Sequence, residues 1–159
     1  MEKSDRLAPS NIERIQELAL SLLELNEPDD SVKRMKQLLT LNPEKTDLKF
    51  DMFSKLFEKG FESHAISFGK DTTHPSEIVR HYNNKGVLLS KEGDRSHAIT
   101  EYQRALKFFP KFRENFRIHF NIALAYAQGK NQADYLEAEK YLLKCLELAP
   151  EFEKGRSTL

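Results

Sequence analysis

The sequence predicts an all-α chain of antiparallel helix pairs repeated in series. Apolar residues recur at helical spacing, as in Ile12, Ile15, Leu18, Ala19 and Leu22. Strand signals are nearly absent, with few valines, no alternating β-branched run and no Asn-Gly turn. Finally, a set of aromatic, small and turn-forming residues returns along the chain with a period of about 34 residues.

The clearest unit runs from Val79 to Phe112 and holds Tyr82, Gly86, Leu89, Gly93, Ala98, Tyr102, Ala105 and Pro110. Two antiparallel helices that approach closely need small residues, which Gly86 and Ala98 supply. Tyr82, Leu89 and Tyr102 fill the space between helices and toward the neighbouring unit. Gly93 can adopt a positive φ at the turn, and Pro110 lacks the N–H that would continue a helix. In this order and spacing the segment resembles the tetratricopeptide repeat, although Lys85 stands where that family usually has Leu.

A further unit carries Ile122, Ala123, Tyr126, Gly129, Ala138, Leu142, Cys145 and Pro150, with two insertions of about three residues, near Arg113–Asn115 and near Gln132–Asp134. The N-terminal half keeps phase in degenerate form. Ile15, Leu18, Ala19, Leu22, Ser31, Met35, Leu38 and Pro43 sit at landmark offsets, as do Met52, Leu56, Gly60 and Ala65. Lys49, Phe53, Gly69 and Thr72 do not, and 71–75 reads as loop. Ser10 with Glu13 reads as a capping box for the first helix.

The resemblance implies a right-handed α-solenoid of about four antiparallel helix pairs, two clear and two degenerate. The expected organisation is an N-terminal segment over 1–10, a single repeat domain over 11–152 and a tail over 153–159. Units fall at about 12–45, 46–78, 79–112 and 113–152.

Chemistry-bearing motifs are missing from the sequence. The six glycines form no phosphate-binding loop, and the five histidines and Cys145 have no partner at metal-ligand spacing. His119 replaces an aromatic packing residue, and Cys145 stands where the family usually has Ala. Asp29-Asp30 and Glu137/Glu139 read as solvated charges rather than a catalytic pair. The expectation is a protein that is not an enzyme and needs no cofactor or metal.

Basic and acidic residues balance at 25 each, so no general pull toward nucleic acid or anionic membrane exists. The start lacks a secretory apolar core, no run is long enough to span a bilayer, and a lone cysteine gives no internal disulfide. A cytoplasmic location is the resulting expectation.

In the family, positions 2, 5, 6 and 9 of each first helix face the concave groove. Carried onto this sequence, they are Arg80, Asn83, Asn84 and Val87 in the third unit and Arg117, Phe120, Asn121 and Leu124 in the fourth. The second unit supplies Asp47, Phe50, Asp51 and Ser54. Asn amides suit the backbone of an extended peptide, Arg suits carboxylates and Phe50 and Phe120 suit apolar side chains. The family's two-carboxylate clamp for chaperone tails is disfavoured. Its five places hold Phe50, Ser54, Asn84, Arg117 and Asn121, of which only Asn84 and Arg117 comply.

Between Ser76 and Lys130, ten basic residues face five acidic ones, which favours an acidic protein partner. The phenylalanines of 104–117 could stack on single-stranded nucleic acid, but core packing at the junction of two helix pairs claims them first, so nucleic acid is disfavoured. The expected role is an adaptor or scaffold holding a peptide or protein in the groove or on the edge of units three and four. The alternative is a homo-oligomer assembled through terminal helices, because the helix read over 135–149 is apolar over a wide arc.

Overall fold

The computed structural model describes residues 8–158, and the reading of the extreme N-terminus lies outside them, as does Leu159 of the tail. The described helices are α1 (Pro9–Glu24), α2 (Pro28–Leu41), α3 (Thr46–Glu58), α4 (Glu62–Thr72), α5 (Pro75–Lys91), α6 (Arg95–Phe108), α7 (Phe116–Ala127), α8 (Gln132–Leu148) and α9 (Glu153–Thr158). They pack as successive pairs, α1 on α2, α3 on α4, α5 on α6 and α7 on α8. The chain divides into two compact units, Met1–Thr72 and Thr73–Leu159.

In the N-terminal unit, prolines open α1 and α2, where a preset φ helps and the missing N–H costs nothing. The capping box expected at Ser10 does not form. α1 begins one residue earlier, at Pro9, with Ala8 as a cap that makes no side-chain hydrogen bond. Ser31 is fully buried, and its hydroxyl donates to the Ala19 carbonyl at 2.6 Å, tying α2 to α1. The remaining core is Leu23, Met35, Leu38, Met52, Phe53, Leu56, Ala65 and Phe68, all at most 1 % exposed.

Residues that broke the repeat pattern in this unit have structural reasons. Phe53 is central, with its ring edge-on to Phe50 at 5.3 Å and to Phe68 at 5.4 Å. Lys49 buries its stem while its ammonium donates to the Thr72 carbonyl at 3.2 Å. The stretch read as loop from residue 71 is helical through Thr72, leaving only Thr73 and His74 between α4 and α5. His74 caps α5, its side chain accepting from the Ser76 N–H while Glu77 accepts from the His74 N–H.

In the C-terminal unit, Gly93 has φ +85°, as the turn between α5 and α6 requires. Gly86 answers to space rather than to φ. A Cβ there would sit 2.2 Å from the Tyr102 ring, so the close approach lies against Tyr102. At the last turn Lys130 takes the left-handed conformation (φ 55°), while Gly129 leaves room for the Asp134 carboxylate.

Hydrogen bonds between successive helix pairs make the repeat visible in distance along the chain. In the N-terminal unit Lys36–Asp71, Lys59–Glu24 and His64–Asp29 each join residues 35 apart. In the C-terminal unit Asn83–Asn121, Gln103–Tyr141 and Arg113–Glu151 each span 38. The lengthening has a physical counterpart in a three-residue 3-10 turn, Arg113–Asn115, between α6 and α7. The second insertion adds a first turn to α8, which starts at Gln132 with Asn131 as its cap.

Candidate functional site

First helices of the C-terminal pairs, α5 and α7, open with α9 onto a common groove of ≈ 600 Å³. Its apolar floor is Phe116, Phe120 and Phe152, with Phe152 5.0 Å from the Phe116 ring and 5.1 Å from that of Phe120. The wall carries Asn83 and Asn121, and Arg117 and Lys154 lie on the rim with Glu151 and Glu153. A second hollow of ≈ 300 Å³ continues along α5 and holds Arg80, Asn83, Asn84 and Arg117 with Glu114. Asn83 and Arg117 line both.

Within this site the Asn121 amide donates to the Asn83 carbonyl oxygen at 2.7 Å. One amide proton of Asn121 is thus already spent, leaving its oxygen and second N–H for a ligand. The Arg117 guanidinium lies 5.2 Å above the Phe116 ring and donates to Glu114 at 3.3 Å. Arg80 is exposed and has no carboxylate partner among the described residues.

Of the residues singled out by sequence, six line these hollows: Arg80, Asn83, Asn84, Arg117, Phe120 and Asn121. Val87 and Leu124 lie outside both, Val87 half-buried and Leu124 38 % exposed. Phe50 and Ser54 are half-buried on α3 of the N-terminal unit, beside exposed Asp47 and Asp51. Position counting missed Phe116 and Phe152, which lie at the helix start and in the connection after Pro150, and Lys154 on α9. The phenylalanine after Pro150 was the available signal.

Buried chemistry elsewhere in this unit serves packing. Phe108 is fully buried and stacks on Tyr82 at 5.9 Å, and Phe116 is 8 % exposed. Phe109 is half-buried, with its carbonyl accepting from Asn115 at 2.7 Å. The phenylalanine-rich basic stretch therefore offers few free ring faces to a base. Cys145 is buried, and burial pushes its thiol pKa up, away from the reactive thiolate. Among the described residues no group of three or more His, Cys, Asp or Glu is placed to hold a metal ion. Nor is any described helix long and apolar enough to cross a membrane.

His119, 8 % exposed beside Tyr141, has its pKa lowered from 6.5 to about 4, chiefly by burial and secondarily by the Lys144 charge. The unfolded chain takes up this proton near pH 6.5 and the folded chain only near pH 4. The stabilisation is therefore complete above the higher value and is lost as pH falls toward the lower one. We expect acidification across that window to cost on the order of 2 kcal/mol through this residue. Urea midpoints of the parent and of His119→Phe, compared across the window, check it: the substitution should flatten the decline.

The fold is of the helical-repeat class, an α-solenoid of helix pairs whose first helices carry a groove. The tetratricopeptide repeat profile matches twice, over residues 79–112 and 116–152. These two segments are thereby tetratricopeptide repeats. The gap between the matches is the 3-10 turn, and the match starts place Arg80 and Arg117 at the same position of successive repeats. Repeats of this family serve protein–protein interaction.

Solved structures with similar folds include MamA (24 % identity, covering 92 % of this chain and 82 % of that one, TM-score 0.42). Others are BtubC (BKLC) from P. vanneervenii (16 %, 89 % and 64 %, 0.44) and YrrB (13 %, 91 % and 89 %, 0.39). YrrB is described as a TPR protein with an unusual peptide-binding site. A search of curated proteins finds no match.

Proposed function

We propose that the chain is a non-catalytic adaptor that captures an extended peptide segment of a partner protein in the α5–α7–α9 groove. The observation that carries this reading is a three-phenylalanine floor whose rim holds Arg117 and Lys154 beside Glu151 and Glu153, continued along α5 by a hollow that holds Arg80. A large apolar side chain of the partner would fill the floor, where burial supplies most of the affinity. A neighbouring carboxylate would meet Arg80 and Arg117, whose planar guanidinium groups can donate in pairs. Asn84 and Asn121 would hold the peptide backbone. We also assign the four segments 12–45, 46–78, 79–112 and 113–152 as repeats of one domain, and a cytoplasmic setting fits this role.

Selection from a random peptide library against the intact protein tests the proposal. Retained peptides should carry an acidic residue beside a large apolar one. Reversing charge with Arg80→Glu and Arg117→Glu together should weaken their binding at least tenfold with helicity unchanged, since both side chains are exposed. Retention that survives the double reversal would remove this site from consideration.

A further inference from the structure

Helix α8 turns Ala138, Leu142 and Cys145 into the core. On its opposite side Leu136 and Leu143 are 58 % and 49 % exposed. Seven residues apart, they lie on one stripe of the helix. Exposed Glu139 flanks the stripe on one side and exposed Lys140 on the other, with exposed Glu147 two turns further along the Lys140 side. Helix α9 covers a different part of α8: a Cβ on Gly155 would lie 3.3 Å from Leu146 and 3.4 Å from Cys145.

We propose that this stripe docks on the same stripe of a second copy, with the two α8 helices parallel about a two-fold axis. The charge arrangement selects both occupant and direction. In a parallel pair, opposite flanks of the two helices meet, so Leu136 and Leu143 each meet their own counterpart and Glu139 of each copy meets Lys140 of the other. One contact is thus made twice, as an isologous interface requires. An antiparallel pair centred on the same leucines would bring Glu139 against Glu139 and Lys140 against Lys140. A partner surface of one charge sign would meet one attractive and one repulsive flank.

One helix-on-helix contact falls below the ~1,200 Å² of a standard stable interface, so the dimer is weak and concentration-dependent. Its consequence for binding is bivalency. Two joined copies present two grooves, which raises the avidity for a partner carrying two segments.

Sedimentation velocity on the intact chain, over a dilution series from about 500 to about 5 µM, tests the proposal. The parent should shift from dimer toward monomer as it is diluted. Lys140→Glu should raise the dissociation constant about tenfold, because two attractive contacts become repulsive. Adding Glu139→Lys to Lys140→Glu exchanges the two charges and should restore the parent's behaviour. A parent that stays monomeric throughout overturns the proposal. So does a single reversal without effect, or a double exchange that dissociates as readily as the single one. All these positions are exposed, and circular dichroism of each variant verifies that the helices are retained.

Discussion

Phe53→Ala is expected to cost about 3–5 kcal/mol, enough to unfold most of the N-terminal unit at ambient temperature. The ring is 0 % exposed and packs edge-on against Phe50 from its own helix and Phe68 from α4. Truncation removes the transfer energy of a whole ring and two aromatic contacts, and leaves a cavity beside Phe50 and Phe68. Phe53→Leu, which keeps most of the volume, should cost far less. Urea denaturation followed by circular dichroism measures both, and a loss below about 1 kcal/mol for the alanine variant would mean that the ring is not central to this core.

Gly86→Leu is expected to destabilise the C-terminal unit by about 3 kcal/mol. The added side chain would be driven into the Tyr102 ring, whose nearest atom lies 2.2 Å from where a Cβ would stand. Tyr102 is 2 % exposed and cannot swing away without displacing its neighbours. Gly86→Ala is the sharper comparison. Alanine gains up to about 1 kcal/mol of helix propensity over glycine but meets the same ring, so a net loss is still expected. Thermal unfolding of the pair decides it, and stabilisation by alanine would show that α5 and α6 are not in close contact at this point.

The fold was legible because repeat architecture writes itself into the sequence twice, as helical periodicity and as recurring landmarks. Tyr82, Gly86, Gly93, Ala98 and Tyr102 each carry a packing or turn requirement that few other residues meet. The N-terminal unit was harder to read because Ser31, Lys49 and Phe53 achieve the same packing with different chemistry. Ser31 satisfies its hydroxyl on a backbone carbonyl, and Lys49 reaches out of the core to another. First-turn details escaped too, since Ser10 could cap a helix only if the helix began after it, and Pro9 starts it earlier.

For the candidate site, counting repeat positions located Arg80, Asn83, Asn84, Arg117, Phe120 and Asn121, because equivalent positions of equivalent helices face the same way. It could not supply Phe116, Phe152 or Lys154. Phe116 opens α7 just before the counted positions, Phe152 lies in the connection after Pro150, and only Lys154 comes from the short helix α9, a segment that read as tail. The Asn83–Asn121 hydrogen bond was also invisible, as it joins the fifth position of one first helix to the sixth of the next, a pairing that position counting does not reveal.

Site-specific photo-crosslinking tests the binding face most directly. A photoreactive residue would replace Asn84 on α5 or, separately, exposed Thr100 on α6, and each protein would be irradiated with a library-selected peptide. Adducts from position 84 and none from position 100 are predicted. Adducts from position 100 alone would place the partner on the second-helix side and contradict the account.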